Sequence, residues 1–376
     1  VPAVTPAPRR RLPDLDAVRG FAALSVLFYH LFAWGTRPAQ STGPARMLAS
    51  LFRWGWLGVD VFFVLSGFLI TGLLLEARQR PDYYSDFYAK RAFRILPLYY
   101  ASVGVACLTV VALNAPVDWR GVFFSIGFLA NTGSLLSFTL TEPFGVYWSL
   151  AVEEHFYLLW PLLVRSLPVR WLWFACAGLI VASPALRFWS AHSGAPFDIY
   201  GFTAFRLDGL ALGAIFALMK HERVSRRITV GAVAALAAAG LTLGALLWRV
   251  GALSRTSELG AALQFSSTTL FIGALFLAIR SVGSRAPTNV VRVLGFFGDI
   301  SFFVYLNHLT AILAFDYFWA RMGLSRGSLG AELVRAFTVV GVVVVAGVLS
   351  RRYFELPVQR LRRNLGARLF AKCSLE

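Results

Sequence analysis

The chain has 376 residues, 57% of them hydrophobic and 15% charged, with a net charge of +17. Its mean hydropathy is +0.65, and apolar runs of about twenty residues, enough to cross a bilayer, recur from end to end. An ordinary soluble domain is excluded, and so is a nucleic-acid partner, because the basic residues fall in short clusters between apolar runs, where they read as topology signals.

The expected fold class is all-α, a polytopic transmembrane helix bundle of about ten spans. They are placed at 15–34, 57–76, 95–113, 146–165, 171–188, 203–219, 229–249, 259–279, 296–316 and 333–350. Residues 1–14 read as a cytoplasmic N-terminal tail, 15–350 as the transmembrane domain and 351–376 as a basic cytoplasmic tail. The tail reads as an amphipathic segment drawn to anionic lipid rather than a substrate contact. Gly121–Phe138 is apolar but interrupted by Asn131, Thr132, Gly133 and Ser134. If it does not cross and the N-terminus is cytoplasmic, 24 basic residues lie inside and 10 outside, with Arg19 and Arg206 left within helices. If it crosses, 16 of the inner ones turn outward. The positive-inside rule therefore favours ten spans, both termini cytoplasmic, and a segment that lies in the interface or re-enters.

In the first span Arg19 and His30 are eleven residues apart, so an α-helix turns both toward one side, about 16 Å apart along the axis. Intramembrane ionisable groups usually face a cavity or another helix, and together these two predict a polar channel. The structural alternative pairs Arg19 with Asp16 and lets His30 bond a neighbouring helix. After this span, Trp34, Arg37, Arg53, Trp54 and Trp56 read either as an interfacial aromatic belt or as a surface on which sugar rings stack. The second span contributes Asp60 and the Ser66-Gly67 pair, the latter also explicable by close helix approach. The loop expected over 78–94 concentrates cations. Its Arg91 and Arg94, three apart, form a fork suited to phosphate oxygens if helical, with Pro97 at the mouth of the next span. An ordinary positive-inside cluster explains the same residues.

The fourth span carries Trp148, Ser149, Glu153, Glu154 and His155. Ser149, Glu153, Phe156 and Trp160 share one helical stripe, while Glu154 and His155 point elsewhere. In the sixth span, Arg206 and Asp208 read most simply as a structural ion pair. The ninth places Asn307 and His308 in an apolar run. Cys107, Cys176 and Cys373 are far apart without metal spacing and read as free thiols; no metal site is expected. No nucleotide-binding loop or internal repeat is recognised. No cleavable signal is expected either, since the run after Arg9-Arg10-Arg11 is a full span.

Taken in order, five motifs resemble the acyltransferase-3 family of integral membrane acyltransferases along nearly the whole chain. They are Leu15-Asp16-x-x-Arg19-Gly20 running to His30, Gly58-Val59-Asp60 through Ser66-Gly67-Phe68, Arg91-x-x-Arg94-Ile95-Leu96-Pro97, Trp148-Ser149-Leu150-x-x-Glu153-Glu154-x-Phe156-Tyr157, and Tyr305-Leu306-x-His308. The resemblance implies a multi-pass plasma- or inner-membrane enzyme that transfers acyl groups other than aminoacyl. Acyl-CoA, often acetyl-CoA, would be co-substrate with no tightly bound cofactor, and a hydroxyl of a carbohydrate or glycosylated acceptor would receive the group. It makes His30 the leading catalytic residue with Arg19 beside it, and places Arg91 and Arg94 at the coenzyme A phosphates. Glu153 and Trp148 would line the central site, to which Asp16, Asp60, Ser66, Ser149, Glu154, Arg206, Asp208 and His308 add polar positions. Neutral His30 would take the acceptor's proton, with Glu153 orienting it or stabilising its charged form. Direct transfer is the preferred route, and a ping-pong route through acyl-His30 stays open. Because the sequence ends soon after the tenth span, without the hydrolase-like domain some relatives add, the expectation is that it finishes transfer itself or uses a separate partner outside the membrane. A transporter or flippase of a lipid-linked or acylated substrate is the alternative, since it too carries intramembrane charge.

Overall fold

A computed structural model describes residues 13–34, 43–251, 257–282, 288–324 and 328–362. Among these no strand occurs, and each of the ten expected spans corresponds to a helix. The helices are α1 (Pro13–Phe32), α2 (Gly43–Phe52), α3 (Gly58–Ala77), α4 (Tyr83–Ala112), α5 (Trp119–Ile126), α6 (Tyr147–Ser166), α7 (Val169–Ser193), α8 (Leu207–His221), α9 (Arg226–Arg249), α10 (Glu258–Val282), α11 (Thr288–Arg321) and α12 (Leu329–Ser350). Eight helical stretches are long and apolar enough to cross a membrane, and the chain is a multi-pass membrane protein. The other two expected spans, α6 and α8, fall short of that measure. Glu153, Glu154 and Arg165 lower the hydropathy of α6, and α8 has only 15 residues. Helix α8 is largely buried in the bundle, whereas α6 turns Leu158, Leu159, Leu162 and Leu163 outward and packs its other face on neighbouring helices.

One boundary differs from expectation. The loop expected up to residue 94 is short, because α4 begins at Tyr83 and runs 30 residues, about 45 Å at 1.5 Å per residue. Its first turns are cationic on one side, which depresses local hydropathy. On that same face, buried Tyr83 and Phe87 anchor it beside the cations, and Tyr83 donates to the Pro161 carbonyl at 2.9 Å. Pro97 lies inside this continuous helix. Gly121–Phe138 contains most of α5 and two short turns, Ala130–Thr132 and Gly133–Leu136, none of which can span a bilayer.

Two glycine-mediated crossings organise the centre. A Cβ at Gly20 would stand 1.9 Å from the Leu294 carbonyl oxygen, and one at Gly298 would stand 2.0 Å from that of Asp16, so α1 and α11 touch backbone to backbone. Gly67 and Gly213 do the same for α3 and α8, against the carbonyls of Leu210 and Val64 at 1.9 and 2.0 Å. Small residues let membrane helices approach this closely and gain van der Waals contact that bulkier ones forbid. Gly20 meets Leu294 while His30 meets His308, and Asp60 meets Arg206 while Gly67 meets Leu210, so the helices of each pair run parallel.

The described ends meet at one end of the bundle. Asp14, at the start of α1, is 3.8 Å from Arg280 near the end of α10. Arg362, beyond α12, is 3.6 Å from Asp86 near the start of α4. Arg78, just after α3, donates to the Leu167 carbonyl at the end of α6 at 2.5 Å. An even number of crossings requires this arrangement.

Candidate active site

Five helices converge on a polar chamber of about 100 Å³. Helix α1 supplies Arg19, α3 supplies Ser66, α4 supplies Arg91 and Arg94, α6 supplies Ser149, Glu153 and Tyr157, and α11 supplies Tyr305. Helical periodicity explains the lining. Ser149, Glu153 and Tyr157 recur every four residues, and Arg91 and Arg94 are three apart, so each set falls on one face. Ser66 Oγ donates to Glu153 Oε1 at 2.9 Å and the Tyr157 hydroxyl donates to Oε2 at 2.7 Å, fixing both carboxylate oxygens. Arg91 lies over the Tyr157 ring at 4.7 Å. Arg19 has Asp16, Arg91 and Glu153 as its main charged neighbours, and Arg94 has Arg19 and Arg91. Three arginines against one glutamate make the chamber wall cationic and suited to an anionic ligand.

A second cavity, of about 380 Å³, adjoins the first and shares Arg91 and Arg94 with it. Lys90, Gln359 and Arg362 line it as well, together with Asp86, which pairs with Lys90 and Arg362 and lies 3.9 Å from Arg80. The tail, expected to be drawn to anionic lipid, contributes Gln359 and Arg362 to this cavity. After α12 the helix passes through a wider turn at Arg351–Glu355 and continues to residue 362, which carries Gln359 and Arg362 back over α4. Residues 363–376, with Cys373, lie outside the described part.

His30 stands apart from the chamber lining, in contact with His308. His308 Nδ1 is 3.1 Å from the Val304 carbonyl and 2.8 Å from that of Tyr305, so Nδ1 must carry the hydrogen, and neutral Nε2 has the lone pair. His30 Nδ1 faces that Nε2 at 3.1 Å and the Val26 carbonyl at 2.9 Å, both acceptors, so it too carries hydrogen. The lone pair of neutral His30 is therefore on Nε2. Arg335 of α12 braces this end of α1, donating to the Leu31 carbonyl at 2.5 Å while held by Asp316 at 2.7 Å. Tyr305 separates the histidines from the chamber. Its hydroxyl is hydrogen-bonded to Ser149 Oγ, and its ring centroid is 6.0 Å from that of His308. Arg19 thus lines the chamber whereas His30 does not; His30 is in contact with His308, and Glu153 is engaged by Ser66 and Tyr157.

The other acidic and basic positions form a clamp beside the chamber. Arg206 pairs with Asp60 at 2.5 Å, and Asp208 with Arg187 at 3.0 Å, all four buried. The expected Arg206–Asp208 pair is not formed, because parallel α3 and α8 bring Asp60 beside Arg206 while Arg187 reaches Asp208 from α7. Arg187 also donates to the Ala262 carbonyl at 3.0 Å, tying α10 in. Arg206 lies among aromatic rings, 4.3 Å from Phe265 and 6.0 Å from Trp148. Trp148 packs on Tyr200 at 4.6 Å. Asp16, Asp60, Trp148, Glu154, Arg206, Asp208 and His308, expected to line the site, are not among the residues that line the chamber. Among the aromatics after the first span, Trp34 donates to Glu142 Oε1 at 3.1 Å and Trp56 packs on Tyr200 at 6.2 Å; Arg37 lies outside the described part. Cys107 and Cys176 are free thiols.

Sequence reading missed Tyr157, Tyr305, Arg187 and Arg362 as site or clamp residues. Three had a signal: Tyr157 falls four residues after Glu153, Tyr305 three before His308, and Arg187 inside an apolar run. Arg362 had none.

A family model described as an acyltransferase domain matches residues 12–351. Among curated relatives, the acyltransferase MdmB of Streptomyces mycarofaciens is 29% identical over 93% of this chain and 92% of its own length. The O-acetyltransferase OatA of Staphylococcus aureus is 26% identical over 93% of this chain and 58% of its own length. The peptidoglycan O-acetyltransferase OatA of Listeria monocytogenes is 31% identical over 41% of this chain and 24% of its own length. The chain thus spans only part of the length of several relatives it matches. No solved structure matches it.

Proposed function

On the premise that the chain belongs to the acyltransferase-3 family, we propose that it is an integral membrane O-acyltransferase moving an acyl group, acetyl foremost, from acyl-CoA to a hydroxyl of a carbohydrate or glycosylated acceptor. One observation carries this reading: Arg91 and Arg94 belong both to an outer basic cavity and to the inner polar chamber. Such a junction suits a donor with a charged head and a thin reactive arm. In this reading the coenzyme A phosphates stay with Lys90, Arg91, Arg94 and Arg362, and the pantetheine arm passes inward toward Tyr305. A chamber of about 100 Å³ favours a short acyl group. The end of the bundle that carries these cations is cytoplasmic by the positive-inside rule, with both termini there and His30 nearer the outside.

Transfer then needs a base where the acceptor meets the thioester. His30 Nε2 takes the hydroxyl proton as the oxygen attacks the thioester carbonyl carbon, and the tetrahedral adduct loses coenzyme A thiolate, which recovers the proton from His30. Charge appears on His30 during attack, and its Nδ1–H then points at the Val26 carbonyl and the His308 lone pair. Arg19 and the Glu153–Ser66–Tyr157 set hold the donor arm. The relatives' names make peptidoglycan the first acceptor to try, alone or with a separate partner outside the membrane.

The test is detergent-purified protein with radiolabelled acetyl-CoA, with and without peptidoglycan fragments, followed by free coenzyme A and by label on protein or product. Coenzyme A release lost in His30→Ala is expected, and labelled wild-type protein would mark the route through acyl-His30. A fully active His30→Ala enzyme would remove His30 from the mechanism. No binding and no release across several acyl-CoAs would overturn the donor assignment and bring the transporter reading forward.

A further inference from the structure

A third cavity, of about 410 Å³, lies on the far side of α3 from the chamber, between α3, α8, α9 and α10. Leu69 lines the chamber, whereas its neighbour Phe68 lines this cavity. The floor is aromatic: Phe68 and Phe276 meet at 5.3 Å, and Phe216 stacks on Phe276 at 6.0 Å. Lys220, Arg223, Arg226 and Arg280 also line it, and no acidic residue does so among the described residues. The carboxylate on Arg280 is that of Asp14, at 3.8 Å. These four cations lie at the same end of the bundle as Arg78 and Arg362, where apolar helix walls give way to charged helix ends.

The turn that carries Arg223 departs from local preference. Helix α8 closes with the Val224 amide donating to the Met219 carbonyl at 3.0 Å, which puts residue 223 in the left-handed region, at φ 54°. Glycine is the usual occupant of that position, because a side chain there costs conformational energy. Here an arginine occupies it, and the arginine lines the cavity.

We propose that this cavity holds the phosphate-bearing headgroup of an anionic phospholipid, the phosphate on the arginine and lysine rim and the first part of an acyl chain against the aromatic floor. Charge complementarity selects an anion, and the apolar floor at the membrane boundary selects a lipid over a soluble phosphate. The proposal is independent of the acyl-transfer reading and of the donor cavity.

Native mass spectrometry on the full chain in detergent tests it, with phosphatidylglycerol and phosphatidylcholine added stepwise and inorganic phosphate as competitor. Wild-type protein should retain one phosphatidylglycerol in preference to phosphatidylcholine. Arg223→Gly should weaken that retention about fivefold and R223G/R226Q about 25-fold, as expected for the loss of one and two interfacial charges. Arg223→Gly relieves the backbone, so its thermal stability should equal or exceed wild type, which separates lost binding from lost folding. Arg249→Gln, at the opposite end of α9, should change nothing. Equal retention by all variants, a loss in R249Q as large as in R223G, or equal binding of phosphatidylcholine would overturn the proposal. Displacement by inorganic phosphate would make it a soluble-anion site instead.

Discussion

Replacing His308 by phenylalanine tests the tautomer argument most directly. In the resting protein the Nδ1 hydrogen of His30 is shared between the Val26 carbonyl at 2.9 Å and His308 Nε2 at 3.1 Å. Phenylalanine keeps the ring volume beside Tyr305, and the Val304 and Tyr305 carbonyls keep their helical partners. What disappears is one acceptor for His30, and it matters most when His30 carries charge during attack. A hydrogen bond to a charged group contributes about 1.5–3 kcal/mol, which at about 1.4 kcal/mol per tenfold corresponds to a drop in kcat of roughly 10- to 150-fold. The Val26 carbonyl remains, so the loss should be smaller than in His30→Ala. The KM for acetyl-CoA should stay near wild type, because the donor residues are untouched. Steady-state coenzyme A release gives both constants, and an unaltered melting temperature checks the packing. An unchanged kcat, or a loss confined to KM, would refute the role assigned to His308.

Gly298→Ala places a Cβ 2.0 Å from the Asp16 carbonyl oxygen, a backbone atom. Helices α1 and α11 must then separate by about 1 Å, costing roughly 1–3 kcal/mol of stability or more. Because those helices carry His30 and His308, activity should also fall about 100-fold, and wild-type melting with wild-type activity would contradict the close crossing. Double-mutant cycles read by thermal unfolding should show strong coupling for Asp60 with Arg206 and for Asp208 with Arg187, and weak coupling for Asp208 with Arg206. Removing a single buried partner should cost about 3–5 kcal/mol, and the largest coupling in the Asp208–Arg206 pair would contradict the geometry. Arg362→Gln should raise the KM for acetyl-CoA several-fold at constant kcat, whereas an unaltered KM would remove the tail from the donor cavity.

Sequence alone determined what depends on neighbours along the chain. Hydropathy sums located the helices, and a three- or four-residue period correctly grouped Arg91 with Arg94 and Ser149 with Glu153. It misplaced the start of α4, because a cationic helical face lowers hydropathy as a loop does; only the packing of Tyr83 and Phe87 separates the two. Partner choice belonged to tertiary structure. His30 and His308 are 278 residues apart, and Asp60 and Arg206 146 apart. Arg206 met Asp60 instead of the nearer Asp208 because Gly67 and Gly213 let α3 and α8 lie in backbone contact. A buried ion takes the counter-charge that helix packing brings within reach, and sequence distance plays no part in that competition.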